Sequence, residues 1–219
     1  MDARAVADLE DYARLDRELA ADAARLRDLD TQVAAIRAQG EAIDSFFARY
    51  GDEEVRRREA VAARRAVLDR RREELVAAER ELATAREAEA RERAESAVQR
   101  ARDHVAVAGA ALDRARSDVD ELEREASAHS REAPELEARA HALSAQLDDG
   151  PPAPTGIREL ADWASHAHAE LFVAAGQLDA QRDRVIREAN ELATMLLGEQ
   201  TFGSTVAQLA QRVLPLAGE

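Results

Sequence analysis

The stretch LRDLDTQVAAIRAQGEAIDSFFARYGDEEVRRREAVAARRAVLDRRREELVAAEREL, residues 26–82, decides the fold. Leu26, Leu29, Val33, Ile36, Gly40, Ile43 and Phe47 step by threes and fours, and Val61, Leu68, Leu75 and Leu82 follow at intervals of seven. That rhythm places one apolar residue after another on a single helical stripe, the seam of a coiled coil. Read about Gly51-Asp52, the stretch is its own mirror image: Ile43 pairs with Val61, Ile36 with Leu68, Leu29 with Leu75 and Asp22 with Leu82. Glycine commonly ends a helix and aspartate commonly starts one. Glu53 and Glu54 would then sit in a first turn, where the helix dipole favours anions. These features predict a first antiparallel hairpin over residues 1–97, with a helix from about Asp2 to Tyr50 and a turn near 51–52.

Upstream, Tyr12, Leu15 and Leu19 extend the stripe, with Asp22 as a polar layer in it. Gly40 falls on the stripe without shifting its frame, so the helix is expected to pass through at a cost of about 1 kcal/mol. Downstream, a second mirror is centred on Asp149-Gly150-Pro151-Pro152, pairing Leu147 with Ile157, Ala133 with Leu171, Ala126 with Leu178, Val119 with Val185 and Leu112 with Leu192. It predicts a second antiparallel hairpin over 98–197, with its turn at 148–156. Its first arm carries Val98, Ala101, Val105, Ala108, Leu112, Ala115, Val119 and Leu122 in one frame, kept across Pro134 as a bend. Its second arm runs from Ile157 to Leu197 and stops at Gly198. Residues 83–97 hold no bulky apolar side chain, and the frames on either side are offset; this is read as the place where the hairpins meet. Residues 198–219 form a tail with a short helix, about Thr205–Leu214, opened by a capping box of Thr205 with Gln208 and closed by Pro215. Its Val206, Leu209 and Val213 are expected to dock where the hairpins meet. The fold class is therefore all-α: an elongated antiparallel coiled coil, two helical hairpins sharing one long central helix, plus a short C-terminal helix.

Composition agrees and narrows function. Charged residues make up 35% and aromatics 3% of the 219, a balance typical of long helices rather than of a bulky globular core. The formal net charge of −14 argues against a protein that binds nucleic acid over its whole surface. With no cysteine there is no disulfide, no thiol chemistry and no thiolate zinc site. The polar start shows no signal peptide. The longest apolar runs, Val105–Leu112 and Leu171–Ala175, fall far short of the ~20 residues a membrane span needs. A cytoplasmic location without membrane contact is expected.

Two surfaces stand out. Arg56, Arg57, Arg58, Arg64, Arg65, Arg70, Arg71 and Arg72 form a basic cluster able to touch phosphates, with a solvated, salt-bridged face as the competing reading. Trp163, Phe172, Ile186 and Leu197 lie off the seam and form a candidate stripe for a partner helix. The string from Gly198 to Thr205 has the glycine spacing of a phosphate-binding loop, but Ser204 stands where its lysine should be, and a helix precedes it instead of a strand. His166 and His168 are two apart, and so diverge on a helix. His141 is expected to face Trp163, and His129 lies on the seam. No residue is assigned a catalytic, cofactor-binding or metal-binding role.

Paired Ala/Glu/Arg-rich hairpins, with a passage such as Arg187-Glu-Ala-Asn-Glu-Leu-Ala-Thr-Met-Leu-Leu-Gly-Glu, resemble the coiled-coil arms of SMC-like and SbcC-like ATPases of chromosome segregation and DNA repair. The sequence has no Walker A lysine, ABC signature or zinc-hook CxxC, so the resemblance implies a head outside this chain and no catalytic residue within it. It implies a spacer or lever with no cofactor, protein partners along its coiled-coil surfaces (a second copy included) and only weak or indirect DNA association. The alternative is a free-standing scaffold that oligomerises or docks partner helices.

Overall fold

The computed structural model describes residues 3–147, 150–198, 201 and 203–213. Helices α1 (Ala3–Thr84), α2 (Ala88–Ser144), α3 (Ile157–Leu197) and α4 (Val206–Val213) follow one another along the chain. They account for 91% of the described residues, and no strand occurs among these, so the fold is all-α. The expectations placed on Asp2, Asp149, Leu214 and Pro215 lie outside the described residues.

The first predicted turn is corrected. α1 is one helix through Gly51-Asp52, and Gly51 is not among the positive-φ glycines. One glycine among strong helix formers costs about 1 kcal/mol, too little to stop a helix whose neighbours share a continuous seam. The seam residues predicted to face each other, such as Ile43 and Val61, therefore lie on the same helix. The reversal comes at Ala85–Glu87, where Ala85 still donates backbone bonds to Glu81 and Leu82. The shared long helix is thus α1, which contributes to two compact units: the described residues of Met1–Glu41 and Leu136–Glu219, and Ala42–Glu135. These replace the predicted division at residues 97 and 98.

In the unit Ala42–Glu135, the second half of α1 runs antiparallel to α2. Leu68 packs with Ala108 and Leu112, flanked by Val61 and Val105. Facing positions have residue numbers that sum to about 176, as do Leu68 with Ala108 and Phe47 with His129. In this register the large Leu75 and Leu82 of α1 come opposite the small Ala101 and Ala94 of α2. The seam predicted on α2 is the one that is buried, with Val98, Ala101, Ala108, Leu112 and Leu122 all in the interior, and α2 passes through Pro134 unbroken.

In the other unit, the first part of α1 runs antiparallel to α3. Tyr12 donates to Glu188 at 3.2 Å, Arg182 bonds Asp16 at 2.7 Å, and Asp30 pairs with His168. The predicted pairing of α2 with α3 about residues 148–156 is therefore corrected: the seam of α3 faces α1. Leu112, predicted opposite Leu192, packs on Leu68 instead. The described part of the connection before α3 is anchored by hydrogen bonds. Gly156 has φ 116 and donates its N–H to Glu137 at 3.1 Å, and Trp163 donates its indole N–H to the Pro151 carbonyl at 3.0 Å. Gly40 is buried where α3 begins; a Cβ there would lie 3.7 Å from the Ile157 carbonyl, in ordinary van der Waals contact.

The boundaries of α3 are those predicted, and Gly198 ends it in the left-handed conformation, its N–H on Thr194. The capping box also forms: Thr205 N–H reaches Gln208 Oε1 at 2.9 Å and Gln208 N–H reaches Thr205 Oγ1 at 3.3 Å. α4 buries Val206, Leu209 and Val213 against Val6, Leu9 and Ala13 of α1 and Ala189 and Ala193 of α3. Its dock is thus the pairing of the start of α1 with the end of α3.

The continuity of α1 has a direct test. A Cβ at Gly51 meets nothing within 4 Å. Gly51→Ala should raise stability by up to about 1 kcal/mol in urea or thermal unfolding, because the helix interior penalises glycine. Loss of stability would indicate a turn at that position.

Candidate functional site

The basic cluster occupies a helix interior, and its spacing divides it. Arg57, Arg64 and Arg71 are seven apart and share a stripe with the seam, in the register that sets them near Val119, Leu112 and Val105 of α2. Long aliphatic stems can cover apolar surface while the charged head stays in water. Arg57 and Arg71 are half-buried in this way. Arg58, Arg65 and Arg72 flank the stripe, and Arg56 and Arg70 lie behind it. The eight therefore surround α1 and do not share one face.

Most of them are already bound. Arg57 donates from Nε to Glu53 at 2.8 Å and from Nη1 across to the Asp118 carbonyl at 2.6 Å. Arg58 reaches Glu54 at 2.7 Å and Glu123 on α2 at 3.3 Å. Arg56 pairs with Glu53 at 3.4 Å, Arg71 with Glu74 at 2.6 Å and Arg72 with Asp69 at 3.6 Å. Among the described residues, Arg64, Arg65 and Arg70 make no ion pair. The salt-bridged reading thus accounts for five of the eight, with acids supplied by α2 and by α1 itself. Of the acids further upstream on α1, Asp30 pairs with His168 and Glu41 with Arg37.

The Glu53–Arg57 bond has an electrostatic consequence. It holds the Glu53 carboxyl below its ordinary value and raises the Arg57 guanidinium. A carboxyl whose folded value is depressed contributes stability that is present above its unfolded value and lost as pH falls through the folded one.

Beside this cluster lies a feature the residue-by-residue reading missed. Phe46, Phe47 and Tyr50 gather with His129 of α2, whose ring centroid is 4.7 Å from that of Phe46. Phe46 and Tyr50, with Arg49, Arg56 and Leu122, line an open groove of about 400 Å³. The signal was available: three aromatics within five residues, in a chain with few of them.

The candidate docking stripe does not form one surface. Trp163 is buried, while Ile186 and Leu197 pack around the cluster that holds α4. Phe172 alone is open, with 72% of its surface exposed. His141 is exposed and the Trp163 indole bonds to Pro151, so the tryptophan is held by the connection. In the glycine-spaced string, Thr201 is buried and its hydroxyl bonds to Asn190 Oδ1 at 3.1 Å. Gly198 and Gly203 have φ 69 and 82, the geometry of a helix stop and a turn. Glu199, Gln200 and Phe202 of that string lie outside the described residues. Among the described residues no three His, Asp or Glu side chains are placed to hold a metal ion, and no helix is long and apolar enough to cross a membrane. Comparison with models of known families, with curated proteins and with solved structures finds no match.

Unfolding measured from neutral to acid pH should show the Glu53 contribution directly. Glu53→Gln should be less stable than the parent at neutral pH, and the difference should shrink as pH drops below the carboxylate range. A constant gap would mean that the ionised pair contributes nothing.

Proposed function

We propose that this chain is a non-catalytic coiled-coil rod, an arm or arm-like segment of an SMC- or SbcC-type ATPase acting in chromosome segregation or DNA repair. The observation that supports this reading is the organisation of α1: 82 residues of uninterrupted helix, along which α2 and α3 each run antiparallel. Long helices zipped in opposite directions carry displacement along their axes, which is what a lever between a motor and its load requires. The described surface offers open grooves and satisfied ion pairs in place of an enclosed cavity with converging acid and base groups. On this reading the ATPase head, any DNA contact and a cytoplasmic location belong to the larger assembly. Of the eight clustered arginines, Arg64, Arg65 and Arg70 make no ion pair among the described residues and are open to a phosphate backbone, and such contacts would be weak and salt-sensitive.

Affinity purification of the tagged full-length protein, expressed from its own locus, tests the proposal. The expected result is co-purification of an ATPase carrying Walker motifs, together with DNA. Recovery of neither, from cells where the tagged protein is intact, would overturn it.

A further inference from the structure

Among the described residues, one face of α3 has no partner. Ala169, Phe172, Val173, Gly176 and Ala180 are exposed together on the side opposite the seam residues Leu171, Ala175 and Leu178. Phe172 and Val173 are 72% and 56% exposed, and a Cβ at Gly176 would meet nothing within 4 Å. Charged groups bracket this face. Asp162 precedes it, as does His166, which pairs with Glu170 at 3.4 Å, and Asp183 and Arg187 follow it. Among the described residues, Asp162, Asp183 and Arg187 have no ion pair or hydrogen bond.

We infer that this face of α3 binds the same face of a second copy of the chain, antiparallel about a twofold axis between Val173 and Gly176. Phe172 of each copy is the knob, and the open backbone at Gly176 of the other is the hole. The flanking charges select this arrangement. In the antiparallel register Asp162 meets Arg187, and the twofold axis makes this contact twice. A parallel register would set Asp162 against Asp162 and Arg187 against Arg187, which is repulsive. A face whose leading and trailing charges complement each other is matched by its own copy. The inference does not depend on the arm reading, because the face is complete within this chain.

Sedimentation equilibrium of the full chain over a wide concentration range tests it. A monomer–dimer equilibrium is expected, weakened by at least about tenfold in Phe172→Glu, because a central aromatic anchor carries much of such a contact. Asp162→Arg and Arg187→Asp should each weaken the dimer alone and restore it when combined. These exposed substitutions leave the seam untouched, so the charge pair tests the register independently of the phenylalanine. A chain that stays monomeric throughout, a dimer indifferent to Phe172→Glu, or a double swap that fails to restore association would each overturn the inference.

Discussion

Everything in this molecule rests on α1 continuing as one helix for 82 residues. Its first part packs against α3 in one unit and its second part against α2 in the other. The helix survives two glycines, each costing about 1 kcal/mol, because packing along it outweighs local preference. Gly40 is buried beside the start of α3, and Gly51 faces open space.

Within the unit Ala42–Glu135, Leu68 of α1 packs with Ala108 and Leu112 of α2, with Val61 and Val105 beside them, and Phe46 and Phe47 gather around His129. The pairing of α1 with α2 also gives Arg57 and Arg58 of α1 a partner each: the Asp118 carbonyl and Glu123 are engaged across the seam.

The helical stripes, the ends of α3 and the capping box of α4 were legible because each depends on local chemistry. The partners of the stripes were not. A regular repeat is symmetric about any point within it, so residues on one straight helix pair off about Gly51 as readily as two helices do about a turn. The real reversal carries no glycine or proline. Its trace in the sequence is the offset of frames across residues 83–97, a shift in phase that a continuous helix would not tolerate. The arginine cluster shows the same limit. Its composition is plain in the sequence, but the heptad spacing of Arg57, Arg64 and Arg71 gains meaning only once α1 is known to continue past residue 51. The exposure of Phe172 beside the burial of Trp163 was beyond reach for a related reason: it depends on which neighbour covers each side of α3.

The reversal between α1 and α2 is built from Ala85, Arg86 and Glu87, residue types that favour helix. Nothing in those three residues instructs the backbone to bend, and Ala85 is still bonded to the turn before it. During synthesis, a chain released only as far as this point has every local reason to extend straight on. The packing that holds the bend closed comes from beyond it, from Ala108 and Leu112 of α2 against Leu68. The corner is therefore specified by side chains distant from it in sequence, and not by the three residues that turn.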